Sequence, residues 1–99
     1  MRVCYTRQAL GDLCSIGTYI RERNPLVSIE VEIAIRSTID LLADYPKLGR
    51  ARPGLDVRAL GVPRYPYTAY YRIEGEEIWI VHIRDDRRAQ PGPSDLGSA

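Results

Sequence analysis

The stretch from residue 57 to residue 88 constrains the fold more than any other part of the chain. β-branched and aromatic residues dominate its second half, and Gly or Pro bounds each apolar run. The breaks fall at residues 63–66 and 74–76, where turn-forming residues cluster. We therefore expect three short strands joined as an antiparallel meander. Their ranges are 57–62, 67–73 and 78–84.

Alternation along these strands predicts two different sheet faces, because successive side chains point to opposite sides. We expect the apolar face to carry Tyr67, Ala69, Tyr71, Ile73, Trp79, Val81 and Ile83. We expect the opposite face to carry Thr68, Tyr70, Arg72, His82 and Arg84, with Arg58 added if the first strand alternates in step. A solvated sheet face is normally polar, but the charges on this one are nearly all arginine. That pattern favours a surface that grips an anionic group, either phosphate or carboxylate.

The first half of the chain predicts a strand and two helices. A short apolar run at residues 3–5 is typical of a strand, and Thr6 stands at the N-cap position of a helix over 7–23. Asn24-Pro25 ends that helix and begins another, because Asn is a leading N-cap residue and Pro suits the first helical position. Aliphatic residues alternate at 27, 29, 31, 33 and 35, as in a strand, yet those at 31, 35, 39 and 42 recur at helical spacing. The segment to Asp44 has about 20 residues without Gly or Pro, which exceeds a typical strand. We interpret this segment as the second helix.

The element order is therefore β-α-α-β-β-β, which defines an α+β fold. We expect a small antiparallel sheet with an αα-hairpin packed on one face. The 99 residues suit one domain, which we place at 1–88. Residues 45–54 are a predicted loop, and the small-residue tail at 89–99 is expected to be flexible.

Composition limits the classes of function. The formal net charge is +1, a weak electrostatic footprint for a nucleic-acid binder. Cys4 and Cys14 are too few for a disulfide framework, and with a single histidine they match no zinc pattern, so we expect neither a metal nor another cofactor. We also see no signal peptide and no apolar run of about 20 residues, which predicts a cytoplasmic protein without a membrane span.

A set of short motifs, in this order and at these spacings, resembles the RelE/ParE superfamily of type II toxin–antitoxin toxins. The resemblance extends over about residues 3–88. The motifs are Tyr5-Thr6, Asp12-Leu13, Tyr19-Ile20, Asn24-Pro25, Ile39-Asp40-Leu41-Leu42, Pro46, Gly49-Arg50, Val57-Arg58, Tyr65-Pro66-Tyr67, Tyr70-Tyr71-Arg72 and the closing His82-Ile83-Arg84-Asp85-Asp86-Arg87-Arg88.

The resemblance implies a small antiparallel sheet with two helices on one side, and one of two activities. RelE-like members cleave mRNA on the ribosome through attack of a 2′-OH on the adjacent phosphate. ParE-like members instead poison DNA gyrase. Both kinds are held inactive by a cognate antitoxin whose C-terminal segment wraps the toxin, so a hetero-oligomer with an antitoxin is expected.

The resemblance also implies roles for particular residues. Arg58, Arg72 and Arg84 match strand positions where RelE-like nucleases place basic residues, and His82 is the candidate for proton transfer. Residues that could contact the target or the antitoxin are Arg64, Tyr65, Tyr67, Arg87 and Arg88.

Two departures weigh against nuclease chemistry. Asp85-Asp86 stands where many nucleases have a His-Tyr pair or a tyrosine, and Lys47 is the only lysine of the chain. These departures favour a non-nuclease mode. Each candidate also has a structural interpretation: the arginines could form exposed ion pairs, His82 could be a satisfied sheet residue, and the tyrosines could be packing residues. A third hypothesis is a non-toxic module that binds its antitoxin only for autorepression.

Overall fold

The computed structural model describes residues 1–87, so Arg88 and the predicted tail at 89–99 lie outside the described residues. Within these residues the chain forms two helices and five strands, with a short 3₁₀ turn after the second helix. In chain order these are β1 (Arg2–Tyr5), α1 (Arg7–Arg21), α2 (Pro25–Asp40), the 3₁₀ turn (Leu41–Ala43), β2 (Arg50–Ala51), β3 (Arg58–Gly61), β4 (Tyr67–Glu74) and β5 (Glu77–Asp85).

The strands form one sheet in the order β1-β5-β4-β3-β2. The meander of β3, β4 and β5 is antiparallel, as predicted. Two features differ from the expectation. β1 runs parallel to β5, so the sheet is mixed, and the two-residue β2 pairs with β3 inside the segment predicted to be a loop. Parallel strands need a long crossover, and the αα-hairpin opens the connection that leads the chain from β1 back to β5. The α+β class is confirmed.

Both helices begin at the predicted caps. Thr6 Oγ1 accepts a hydrogen bond from the backbone N–H of Ala9 at 3.1 Å, and Asn24 Oδ1 accepts one from Val27 at 3.3 Å. Pro25 occupies the first turn of α2, where its missing N–H costs nothing. The helical interpretation of 26–44 is confirmed over Pro25–Asp40. Its alternating aliphatic residues divide between two sides of the helix: Val31 and Ile35 are buried, while Ile29 and Ile33 are exposed.

The main core lies between the two helices and one face of the sheet. Its largest fully buried side chains include Ile35, Ile39, Tyr71, Ile78 and Ile80. A second, smaller apolar cluster covers part of the other sheet face. It is formed by Val57, Tyr70 and Val81, with Leu55, Ala59 and Trp79 packed against it. The second face is therefore not the open polar surface that the alternation predicted.

A β-bulge in β5 explains the difference. Tyr70 pairs with His82, whereas the next residue, Tyr71, pairs with Ile80, so Val81 is an extra residue in β5. The bulge reverses the alternation: Ile78 and Ile80 face the helices before it, and Ile83 faces them after it. The predicted face of Trp79 and Val81 is wrong for this reason. No helix among residues 1–87 is long and apolar enough to cross a membrane.

Candidate functional site

A cleft of about 330 Å³ lies between α1 and the C-terminal half of β5. It brings together four of the predicted site residues: Tyr67, His82, Arg84 and Arg87. Helix α1 contributes Asp12, Ser15, Ile16 and Tyr19 to the opposite wall, and Ile83 and Asp85 complete the lining.

Asp12 joins the two walls of this cleft. Its Oδ2 lies 2.5 Å from His82 Nδ1 and accepts the backbone N–H of Ile83 at 3.0 Å. Its Oδ1 accepts from Gln8 Nε2 at 2.8 Å. Strand β1 pairs with β5 only as far as Ile80, so no strand from residues 1–87 lies beside this edge of β5 beyond that point. Asp12 replaces part of the missing strand pairing there, because its carboxylate accepts the backbone N–H of Ile83.

Thr6 contributes to the same closure, because its Oγ1 donates to the carbonyl of Val81 at 3.4 Å. The sequence alone did not assign a role to Asp12 beyond its place in a motif. The sequence did contain a signal for a pairing of Asp12 with His82, because Asp12 is an acid on an amphipathic helix and His82 is the one histidine of the chain. What it could not show was that α1 crosses the edge of β5 at this residue.

His82 is enclosed by its surroundings. The residue is only 6% exposed, and its ring stacks on Tyr70 with 6.3 Å between ring centroids. Nε2 is buried and has no hydrogen-bond partner among the described residues. With Nδ1 on Asp12 and Nε2 buried, the imidazole offers no accessible nitrogen to an incoming phosphate. The geometry favours the structural interpretation of His82.

Arg58 lies on the helix-covered face of the sheet, since it pairs with Tyr71 and Tyr71 belongs to the main core. The expectation that it shares a face with Arg72 and Arg84 is therefore wrong. Its Nη1 donates to the carbonyl of Gly49 at 2.7 Å and contacts that of Lys47 at 3.4 Å. Arg58 thus holds the backbone of the segment between α2 and β2.

Arg72 and Arg84 share the opposite face but stand apart on it. Arg72 pairs with Trp79, and its Nε donates to Glu74 at 3.1 Å. Arg84 pairs with Thr68, four positions away along β4, which corresponds to roughly 13 Å. Arg72 borders a separate hollow of about 250 Å³ together with Arg58, whereas Arg84 borders the main cleft. The three arginines do not converge on one site.

The remaining predicted contact residues are divided between the hairpin and the end of β5. Arg64 is exposed in the β3–β4 turn, with a left-handed φ of 74°, and Tyr65 packs partly on the main core. Tyr67 is buried. Arg87 forms a two-pronged ion pair with Asp85, with contacts of 2.6 and 2.9 Å. That carboxylate raises the pKa of Arg87 above its ordinary value.

The fold and site define a small α+β protein with a mixed sheet, a helical hairpin and a cleft closed by polar side chains. A family model described as "ParE toxin of type II toxin-antitoxin system, parDE" matches residues 3–90. Toxin RelE2 of Caulobacter vibrioides is 32% identical over 87 residues, which is 88% of this chain and 97% of that protein. Toxin ParE3 of the same organism is 34% identical over 91 residues, covering 87% of each.

Two solved structures share the fold. One, from the chromosomal ParDE toxin–antitoxin system of P. aeruginosa, superposes with a TM-score of 0.77 at 27% identity, over 86% of this chain and 95% of that one. The other, from the intact E. coli RelBE toxin–antitoxin complex, has a TM-score of 0.57 at 13% identity, over 83% and 92%. The second likeness concerns the fold alone. The chain is a type II toxin of the RelE/ParE superfamily, and it belongs to the ParE toxin family.

Proposed function

We propose that this toxin arrests growth by binding DNA gyrase, and that it does not cleave RNA. The observation that carries the proposal is the dispersal of the candidate catalytic groups. RNA cleavage through a 2′-OH needs cations preorganised around one phosphate. Here Arg58 and Arg72 border one hollow, where backbone carbonyls already engage Arg58, while Arg84 borders the separate cleft between α1 and β5.

The surroundings of His82 support the same conclusion. A general acid or base must reach the proton it transfers, within hydrogen-bond distance or through one water. His82 is buried against Asp12 and Tyr70. Asp85 ends β5 and is paired with Arg87, and the exposed carboxylate of Asp86 that follows it would repel an RNA phosphate.

The proposal includes a cognate antitoxin as the neutralising partner, because the similar solved structures come from toxin–antitoxin systems. The toxin and antitoxin would form a hetero-oligomer. Since gyrase acts on chromosomal DNA, the proposal also places the toxin in the cytoplasm.

Expression of the chain without its antitoxin tests the toxin function, because growth should stop. The purified protein should then inhibit supercoiling of relaxed plasmid by gyrase, and primer extension on cellular mRNA should find no new 5′ ends. Ribosome-dependent cleavage that is lost in Arg84→Ala would refute the gyrase proposal. Arg7→Ala, an exposed arginine far along the sequence from the candidate set, serves as the matched control.

A further inference from the structure

The segment that connects α2 to β2 contains a surface turn that polar side chains of the sheet hold in place. The backbone N–H of Leu48 donates to the carbonyl of Tyr45 at 3.0 Å, which closes a β-turn with Pro46 at its second position. Proline at that position restricts the turn before any partner is bound. The N–H of Tyr45 itself donates to the carbonyl of Leu41 at 2.9 Å.

Two sheet side chains anchor this turn. The hydroxyl of Tyr71 donates to the carbonyl of Pro46 and accepts the N–H of Gly49, both at 2.8 Å. Arg58 donates to the carbonyl of Gly49 at 2.7 Å. Gly49 is packed so closely that a Cβ atom there would lie 2.6 Å from Cε1 of Tyr71. The backbone of the turn is therefore fixed to the centre of the sheet.

The side chains above this fixed backbone are exposed. Tyr45 is 61% and Leu48 50% exposed, and Lys47 and Arg50 beside them are exposed as well. Residues 45–55 contain the cations Lys47, Arg50 and Arg52 and no acid. The turn thus presents an aromatic ring, an aliphatic side chain and positive charge on a rigid support.

We propose that the Tyr45–Leu48 turn is a preformed docking element that inserts into an acidic, apolar-lined surface of the protein that this toxin inhibits. The proposal rests on the proposed toxin function, but not on gyrase being the target. A turn ordered before binding loses little conformational entropy when the complex forms. The lack of acids in the segment gives charge complementarity to carboxylates, and tyrosine is a frequent anchor at interfaces.

The apolar side chains decide between a protein and a nucleic-acid partner. A nucleic-acid contact would depend chiefly on Lys47 and Arg50 and would weaken steeply with salt. Leu48 and Tyr45 are together on the turn, and the whole chain has a net charge of only +1. This combination favours a protein surface. In this arrangement Arg58 and Tyr71 are positioning residues, which support the turn without touching the partner.

The test uses the full chain with five single substitutions outside the cleft, three in the turn and two controls. Leu48→Ser and Tyr45→Ala remove the apolar contacts, and Lys47→Glu reverses the charge. Leu26→Ser is the control for apolar loss, since Leu26 is 73% exposed on α2, and Arg7→Glu is the control for charge reversal. Each variant is checked for an unchanged melting temperature and expression level.

We expect the three turn variants to need at least about tenfold more protein for half-inhibition of supercoiling and to lose growth arrest, while the controls match the wild type. Antitoxin affinity should change less than twofold. Full activity of Leu48→Ser and Tyr45→Ala would overturn the proposal. So would a loss seen only with Lys47→Glu, which would indicate phosphate contacts, or a loss of antitoxin binding with growth arrest intact.

The growth assay separates the two proposals. If the wild type arrests growth without inhibiting gyrase, and the turn variants do not arrest growth, the gyrase proposal fails and the docking element stands. If all proteins inhibit gyrase equally, the docking element fails alone.

Amide hydrogen exchange tests the positioning role. Tyr71→Phe should accelerate exchange at Gly49 by about tenfold relative to the amides of β5, because the hydroxyl that binds the Gly49 N–H is gone. Equal acceleration throughout the protein would show that Tyr71 only adds global stability, and would contradict the positioning role.

Discussion

Two regions of this toxin use buried and half-buried polar side chains for different purposes. In the cleft between α1 and β5, Asp12 contacts His82 and accepts a hydrogen bond from the β5 backbone. These polar groups therefore pair with one another and close a sheet edge. At the turn after α2, Tyr71 and Arg58 bond outward to loop carbonyls, so the same kind of groups hold exposed side chains in place. The polar groups of the cleft are thus occupied within the fold, whereas those beneath the turn support side chains that remain exposed.

Within the two regions compared, the largest effect should come from Gly49→Ala at the anchored turn. The added Cβ would lie 2.6 Å from Cε1 and 2.7 Å from the hydroxyl of Tyr71, and 3.0 Å from the carbonyl oxygen of Ala59, so the core ring or the loop must move. We expect a loss of about 3 kcal/mol in the free energy of unfolding, measured in urea. Gly11→Ala, where nothing lies within 4 Å of the new atom, is the control and should be neutral or stabilising. Equal stability of the two variants would mean that the turn is not packed as described.

The second largest loss of stability is expected in the cleft, from Asp12→Ala. This change leaves the Ile83 N–H and His82 Nδ1 without their acceptor in a buried setting. An unsatisfied buried group costs about 1–3 kcal/mol, so we expect about 2 kcal/mol by denaturant unfolding. Gln8→Ala removes only the exposed partner of the same carboxylate and should cost less than about 0.5 kcal/mol. If Gln8→Ala cost as much, the carboxylate would matter for the helix and not for the edge of β5.

Tyr71→Phe should lower the free energy of unfolding less than Asp12→Ala at neutral pH. It should also change how stability depends on pH in alkaline solution. It removes two hydrogen bonds of the turn, for about 1–2 kcal/mol. Burial raises the pKa of Tyr71 above 10.0, despite the opposing effects of Gly49 and Arg58. The folded state therefore holds this proton more tightly than the unfolded state.

Loss of the Tyr71 proton should therefore destabilise the folded state. The contribution of the protonated hydroxyl is complete below pH 10 and is lost as the pH rises through the higher folded pKa. Stability measured from pH 9 upward should fall less steeply in Tyr71→Phe than in the wild type. Burial likewise raises the pKa of Tyr5, so Tyr5→Phe gives a reference for an alkaline effect outside the turn. Parallel curves for the wild type and Tyr71→Phe would exclude a role for this proton.

The smallest effect is expected on the solvent side of α2. Ile33→Ser changes an aliphatic side chain that is 60% exposed, so the free energy of unfolding should change by less than about 0.5 kcal/mol. Ile35→Ser, two residues further along the same helix and fully buried, should cost more than about 3 kcal/mol. Thermal unfolding of the pair would show directly which face of the helix meets the core.

Much of the fold was predictable because its signals are local. Thr6 and Asn24-Pro25 mark the helix starts through contacts made within three residues, and the turn after Glu74 follows from a glycine with positive φ at 75. The candidate site was predicted less well. Alternation placed Arg84 and Arg72 on the correct face, but a single bulge at Val81 and the actual phase of β3 moved Trp79 and Arg58 to the opposite faces from those predicted.

The residue pattern by itself determined the two helices and where they begin, the meander of β3, β4 and β5, and the abundance of arginine toward the end of β5. The tertiary structure alone decided that β1 lies parallel beside β5, that Asp12 reaches the edge left uncovered, and that Arg58 and Tyr71 secure the turn at Gly49. The physical reason is separation along the chain. Caps and turns are settled by neighbours a few positions away, whereas Asp12 and His82 are 70 positions apart and meet only when the sheet and helices pack together.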